Sequence, residues 1–418
     1  MIHKRILCSL IKKTHEALMK KHKETWRKLH HQPIISVALP FLDLYTRCTY
    51  HIKVENRRKD KRQYLILFNH QTAFDQFFVS MAFYRPIYYV ASEDLFSKGW
   101  VSSLIRFLVN PIPIKKQATD LKAVMTCMKV AKEGGTIAMA PEGNRTFSGK
   151  TEYMNPAVAR LAQKLKLPIA IFRIEGGYGV HPRWADDVRK GKMRAYISRV
   201  IEPEEYSKLS ADDFYTLLTQ ELYVNEAVAD ACFYHKNSAE YLERAMYVCP
   251  DCGLSEFYSK KDITECKKCG IKIQYLPTKE LKGIDKEFPF RFINDWYEYQ
   301  KDFVNNLNPS DFYEKPMYVD KIFLSEVILY KKKVPMFEGE ISLYGDRYVI
   351  KGKEELILSF EHISAVSVLG RNKINIYCGD KLYQLKSDKH FNALKYVNIY
   401  YRYKNIHGGE NDGQFLGL

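Results

Sequence analysis

The chain has 418 residues, room for roughly two or three domains, and 46% of them are hydrophobic, which excludes wholesale disorder. Its formal charge is +16, and residues 1–31 carry nine Lys/Arg against two acids, so the excess near the N-terminus points to an anionic surface, phospholipid or nucleic acid. No stretch reaches the ~18–20 apolar residues of a spanning helix.

The best apolar runs break early. Pro33–Tyr45 contains Pro40 and Asp43, Phe77–Ala91 contains Arg85-Pro86, and Ile6–Ile11 is too short for the apolar part of a signal peptide. The expected location is therefore cytoplasmic, peripheral on the inner face of the membrane. Residues 1–32 read as a basic amphipathic helix, with Ile2, Ile6, Leu7, Leu10, Ile11, Ala17 and Leu18 at three- and four-residue intervals. Such a helix can lie in an anionic membrane surface, or pack on its own domain with a solvated outer face.

From residue 33 to 245 strands and helices alternate. Tyr64–Phe68, Ile87–Ala91, Thr136–Ala140, Pro168–Ile174 and Lys192–Ile201 read as strands, with a further short one at Phe107–Asn110. Helices are expected through Tyr84, at Trp100–Leu108, Leu121–Lys132 and Asn155–Leu165, and over Phe214–Ala231. The alternation predicts an α/β domain with a mainly parallel sheet, whose active site would gather beyond the carboxyl ends of its strands.

Two polar clusters stand at such ends. In the first, the apolar run Tyr64–Phe68 stops at Asn69-His70, and Asp75 follows five residues after the histidine. On one continuous helix His70 and Asp75 would lie roughly 140° apart and could not pair. With His70 in the turn and Asp75 in the first helical turn, the carboxylate can reach the imidazole. A carboxylate that fixes a histidine's tautomer is the general-base half of a hydroxyl-activating site. The same pair is also what a helix N-terminal cap would need.

The second cluster is Pro141-Glu142-Gly143-Asn144-Arg145-Thr146, after the strand at residue 136. Gly143 permits close approach of backbone to ligand, and Arg145 offers a planar donor fork that suits phosphate. Pro113-Ile114-Lys115-Lys116 supplies further cations for the same edge.

These blocks resemble the glycerolipid acyltransferase family, most closely its lysophosphatidate (1-acylglycerol-3-phosphate) acyltransferases. Asn69-His70…Asp75 is similar to the family's N-H-x-x-x-x-D block, Pro113–Lys116 to its acceptor-phosphate block, Glu142–Thr146 to its E-G-T-R-S block, and Leu167-Pro168-Ile169-Ala170 to its later apolar block. The likeness covers roughly residues 30–205. It departs in offering Lys115 or Lys116 where arginine is usual, and Asn144 and Thr146 where threonine and serine are usual. The resemblance implies an O-acyltransferase on an α/β acyltransferase domain. His70, oriented by Asp75, would deprotonate an acceptor hydroxyl, and that oxygen would attack the thioester of an acyl carrier, acyl-CoA or acyl carrier protein. Lys115, Glu142, Gly143, Asn144, Arg145 and Thr146 would bind the lysophospholipid acceptor, most readily 1-acylglycerol-3-phosphate, to give phosphatidic acid. Arg145 and Lys115 would take the phosphate, and Glu142 would orient Arg145 or the glycerol.

Cys249-Pro250-Asp251-Cys252-Gly253 and Cys266-Lys267-Lys268-Cys269-Gly270 form two C-x-x-C-G knuckles with thirteen residues between them. Four thiolates aimed at one ion imply a tetrahedral, closed and hence structural zinc site in a small zinc ribbon at 246–276. The remaining cysteines, Cys8, Cys48, Cys127, Cys232 and Cys378, show no pairing pattern. Lysines 260, 261, 267, 268 and 272 surround the ribbon, but without interleaved aromatics at base-reading positions nucleic acid is not the expected partner.

Residues 277–333 read as a connector with an aromatic helix near Phe292–Leu307. From Pro335 the period changes to two, with short strands between Gly/Asp/Asn turns and a closing helix at Lys389–Tyr403. This antiparallel β domain closed by one helix, residues 334–405, resembles the pleckstrin-homology-like fold in element order. The tail 406–418 is expected to be flexible. Two other readings stay open: a lipid-binding or scaffold protein that keeps the fold without turnover, and a zinc-ribbon protein that binds nucleic acid.

Overall fold

The computed structural model describes residues 25–55, 60–114, 120–328, 331 and 333–408. The basic helix expected from the N-terminus falls almost wholly outside these residues, as do Lys115, Lys116 and most of the tail. Residues 25–30 are irregular, and a helix then runs His31–Tyr50 with Pro40 inside it.

Strands β1 (Ile52–Val54), β2 (Leu65–Phe68), β3 (Ile87–Ser92), β4 (Ile112–Ile114), β5 (Thr136–Met139), β6 (Ile169–Glu175) and β7 (Met193–Ile201) form one sheet in the order β1-β7-β6-β2-β5-β3-β4. Strands β2 to β6 are parallel, whereas β7 runs antiparallel to β6 and carries β1 parallel to itself. The sheet is mixed and mostly parallel. At the reversal, only the one-turn helix Gly177–Val180 and a loop join β6 to β7, with no full-length helix of the kind that usually carries a parallel crossover.

Strand β2 is central, and all four of its residues are buried. Ile66 and Phe68 pack on one face of the sheet with the helices His31–Tyr50 and Asp75–Phe83; Leu65 and Leu67 pack on the other with Leu121–Lys132, Ala157–Leu165 and Ala211–Leu222. The period of two thus feeds two helical layers, which is why the run reads as uniformly apolar.

Several expectations need correction. Phe107–Val109 end the helix Trp100–Val109, which Asn110 terminates in a left-handed conformation (φ 40°); the edge strand is Ile112–Ile114. The helix expected over Phe214–Ala231 stops at Leu222.

Beyond residue 245, β8 (Val248–Cys249) and β9 (Gly253–Leu254) make the first cysteine knuckle. Strands β10 (Phe257–Lys260), β11 (Ile263–Cys266), β12 (Lys272–Tyr275) and β13 (Leu281–Gly283) follow as an antiparallel sheet. The helix Ile293–Asn305 leads to a second seven-stranded sheet, fully antiparallel, of β14 (Tyr318–Glu326), β15 (Val334–Leu343), β16 (Arg347–Lys351), β17 (Glu355–Ser359), β18 (Ile363–Leu369), β19 (Lys373–Cys378) and β20 (Lys381–Lys386). Its order is β17-β16-β15-β14-β20-β19-β18, and the helix Leu394–Gly408 follows. Strand β14 lies within the stretch expected as connector, yet it joins the two halves of this sheet.

One apolar core runs through ribbon, connector and C-terminal sheet and takes in Phe147 and Trp184 from the first domain. Two polar seams hold the C-terminal sheet against that domain. At one, Asp94 meets Lys333 at 2.5 Å and Gln384 at 3.2 Å; at the other, buried Arg183 donates to the carbonyls of Val368 and Gly370 at 3.1 and 3.2 Å.

Candidate active site

The site begins where β2 leaves the sheet. Asn69 donates to the carbonyl of Ile174 and accepts from its amide, both at 2.8 Å, so the side chain continues the ladder to β6 for one more step. The chain then turns away, and residues 70–74 wrap around the carboxylate of Asp75, the first residue of the helix Asp75–Phe83.

Asp75 is completely buried and fully engaged. It accepts from His70 Nδ1 at 2.8 Å, from the Gln71 amide at 2.7 Å, from the Thr72 amide at 2.9 Å and from the Thr72 hydroxyl at 2.7 Å. Capping and pairing are therefore one arrangement: the carboxylate that folds the loop back also orients the imidazole. With Nδ1–H directed at Asp75, the lone pair lies on Nε2, on a ring whose side chain is 26% exposed.

The second cluster meets the first through the backbone. Strand β5 lies beside β2, and Glu142, just beyond it, accepts from the His70 amide at 2.9 Å and from the Glu152 amide at 3.0 Å. Burial pushes the Glu142 carboxyl up to about 8, against the pull of those two amides. Both of its oxygens are thus used to position backbone, the histidine's included, rather than to orient Arg145.

Gly143, exposed at φ 67°, makes the turn that a side chain would strain. Thr146 accepts from the Ser148 and Gly149 amides and donates its own to the His70 carbonyl, so it shapes the loop. Asn144 is buried beside Arg183, which donates from Nη1 to the Arg145 carbonyl at 2.8 Å. Arg145 itself has a buried Nη1 with no hydrogen-bond partner among the described residues. Burial and the like charge of Arg371 pull its guanidinium down to about 10, still protonated at neutral pH. Pro168 and Ile169 of the apolar block lie at the start of β6, away from the site, where Pro168 accepts from the Leu65 amide.

Four residues near Arg145 carry no sequence signal of their own. Tyr50 packs on Phe74 and His181, with ring centroids at 5.2 and 6.0 Å. His181 and Arg183 sit on the loop after β6, and Arg371 comes from the β18–β19 turn. They are assembled by tertiary packing from segments far apart in sequence.

A family model described as Acyltransferase matches residues 51–174, the stretch that holds both clusters. The chain thus carries an acyltransferase-family domain over those residues. Its acyltransferase domain is similar to a 1-acyl-sn-glycerol-3-phosphate acyltransferase from Bacillus subtilis strain 168, with 22% identity over 136 residues, 32% of this chain; the match spans 65% of the relative's length. Among solved structures it is similar to the 1-acyl-sn-glycerophosphate acyltransferase PlsC of Thermotoga maritima, with 21% identity, a TM-score of 0.38, and 45% and 78% of the two chains covered. The N-terminal PH domain of human ARAP2 gives 15% identity, a TM-score of 0.19, and 22% and 84% coverage.

Outside the acyltransferase domain, Cys249, Cys252, Cys266 and Cys269 place their sulfurs within 4.8 Å of one another, with Cys249 and Cys269 at 3.7 Å. Sulfurs on a tetrahedral zinc, each ~2.3 Å from the metal, would be about 3.8 Å apart. Gly253 and Gly270, at φ 67° and 73°, close the two knuckles. The donor set and its spread fit a tetrahedral thiolate site.

Proposed function

We propose that this protein transfers a fatty acyl group from a thioester carrier, acyl-CoA or acyl carrier protein, to the free hydroxyl of 1-acylglycerol-3-phosphate or a similar lysophospholipid. The observation that carries the reading is the His70–Asp75 pair at 2.8 Å, locked from behind by Glu142 on the His70 amide and set near Arg145, whose Nη1 has no hydrogen-bond partner among the described residues.

Arg145 holds the acceptor's phosphate and so places the hydroxyl beside His70. Nε2 removes the hydroxyl proton, and the oxygen attacks the thioester carbonyl. Asp75 stabilises the imidazolium that forms; the tetrahedral intermediate then collapses, and the thiolate leaves and takes up a proton. General-base assistance of this kind contributes roughly 10²–10⁴-fold. Lys115, which lies outside the described residues, stands as a further phosphate ligand on the strength of the sequence resemblance alone.

The enzyme works at a lipid surface. Val37, Phe41 and Leu44 form an exposed stripe on the helix His31–Tyr50, and Trp100, Leu104 and Phe107 form another on Trp100–Val109. His30 ties the two helices by stacking on Phe107 and bonding to its carbonyl. Among the described residues no helix is long and apolar enough to cross a membrane. Paired stripes suit a protein that lies on the bilayer with its apolar side chains in the headgroup layer.

The four cysteines hold a structural zinc, and the C-terminal unit is a pleckstrin-homology-like domain on the strength of its strand order and closing helix.

The direct test is lipid mass spectrometry of the products that full-length protein forms from a panel of acceptors and donors. Acylation of 1-acylglycerol-3-phosphate to phosphatidic acid is expected. No product from any phosphorylated acceptor would favour a binding or scaffold role instead.

A further inference from the structure

The β18–β19 turn, Gly370-Arg371-Asn372, reaches out of the C-terminal sheet into the acyltransferase site. Arg183 staples it there. That guanidinium donates to the carbonyls of Val368, near the end of β18, and Gly370, on the turn, and to the Arg145 carbonyl on the other side, and lies 4.2 Å from the Phe147 ring centroid. Arg371 is thereby held by two partners: its Nη2 donates to His181 Nε2 at 2.7 Å, and its Nη1 lies 3.1 Å from Asp186.

Charge at this junction does not balance internally. Asp186 is shared between Arg371, Arg244 at 2.7 Å and Lys389 at 3.9 Å, and Asp187, whose charge also reaches Arg371, faces His235 and Asn237. Arg145 has no ion-pair partner among the described residues. The carboxylate whose charge reaches it is Asp75, whose oxygens already serve His70, Gln71 and Thr72. His181, near both guanidiniums, is driven down to about 3 by burial and then by Arg371 and Arg145, so it stays neutral and acts as an acceptor. One buried nitrogen on each of the two arginines, Nη1 of Arg145 and Nε of Arg371, has no hydrogen-bond partner among the described residues. Buried donors are normally satisfied, and like charges brought together in a fold are normally neutralised. Two forks with spare donors suit a doubly charged tetrahedral oxyanion.

We propose that Arg371, delivered by the C-terminal domain, joins Arg145 in clamping a substrate phosphate ester, so that the C-terminal domain completes the active site. This rests on the acyl-transfer reading above and names a substrate-binding residue that the acyltransferase domain alone does not supply. The phosphate is that of the acceptor or that of a CoA carrier, and the experiment separates the two.

Full-length wild type, Arg371→Ala and Arg371→Lys are compared in steady-state acyl transfer. For Arg371→Ala, KM should rise at least tenfold for one phosphorylated substrate. A rise for 1-acylglycerol-3-phosphate assigns the clamp to the acceptor, and a rise for acyl-CoA assigns it to the carrier. Arg371→Lys, which keeps the charge and loses the fork, should fall between. If the acceptor's KM is the one that moves, kcat/KM for monoacylglycerol, which has no phosphate, should be unchanged. With acyl-CoA saturating, an equal fall in kcat/KM for both acceptors marks a merely structural defect and would overturn the proposal, as would unchanged KM values for both phosphorylated substrates. Calorimetric titration of glycerol 3-phosphate and of CoA needs no turnover. Loss of binding in Arg371→Ala from a wild type without acyl transfer would retain the clamp and reject the reaction. Equal binding by the two proteins would reject the clamp.

Discussion

The backbone amide of His70 donates to the carboxyl of Glu142 at 2.9 Å, a bond that joins the carboxyl ends of β2 and β5. Glu142 is 5% exposed, and its pKa lies near 8 because burial disfavours its charge. Below the ordinary value of 4.5 the folded and unfolded chains both hold this proton; between 4.5 and about 8 only the fold does. Its contribution to stability therefore falls as pH rises through that window and levels off above it. Glu142→Gln removes the titration. The difference in unfolding free energy between wild type and variant should change by up to about 1.4 kcal/mol per pH unit across the window. A difference independent of pH would contradict the assignment.

Asp75→Asn keeps the size of the side chain but turns an amide group toward one set of donors. His70 Nδ1, Gln71 N and Thr72 N cannot all be accepted by what remains. Turnover should fall by about 10²–10⁴-fold through loss of the correct tautomer, and stability by about 1–3 kcal/mol for an unsatisfied buried donor. Steady-state rates and urea unfolding measure the two. Wild-type turnover in a folded variant would remove Asp75 from catalysis.

Cys249 and Cys266 belong to the core that also contains Trp296, Leu324 and Tyr396. If these thiolates hold zinc as proposed, stripping it should consequently loosen more than the two knuckles. Thiolate zinc sites contribute an apparent ~10–16 kcal/mol in small domains, so chelation or Cys252→Ser should lower the unfolding midpoint markedly. Elemental analysis should find stoichiometric zinc in the wild type and little in the variant. Zinc-free wild type with an unchanged midpoint would overturn the assignment.

Phe41 and Trp100 are 71% and 76% exposed, so substitution should cost the fold little. If their stripes enter lipid, burial of each is worth roughly 1.5–3 kcal/mol. Phe41→Asp and Trp100→Asp should each weaken co-sedimentation with anionic phospholipid vesicles about tenfold or more while the unfolding midpoint holds. Unchanged vesicle binding would place the membrane contact elsewhere.

The parts legible from sequence were local. An apolar run that stops at Asn69-His70, with Asp75 where the next helix starts, places the pair at a strand end because few short connections are sterically open. The knuckles were legible because C-x-x-C-G spacing itself sets where the sulfurs point. What could not be read depends on direction and distance. Periodicity identifies β7 but not that it runs antiparallel to β6. The aromatic and β-branched Phe107 and Val109 suggested a strand, while the apolar stripe of Trp100–Val109 continued the helix through them. Glu142 bonds to backbone amides, which leave no mark in a residue pattern. Arg371 lies 226 positions beyond Arg145 and reads simply as part of a turn.

The central claim is that His70 is the base for acyl transfer. Its most direct measurement is turnover of 1-acylglycerol-3-phosphate and acyl-CoA by full-length wild type and His70→Ala, both shown to be folded by circular dichroism. The wild type should form phosphatidic acid and the variant should lose at least about 10²-fold in kcat. A folded His70→Ala enzyme with wild-type turnover would contradict the mechanism.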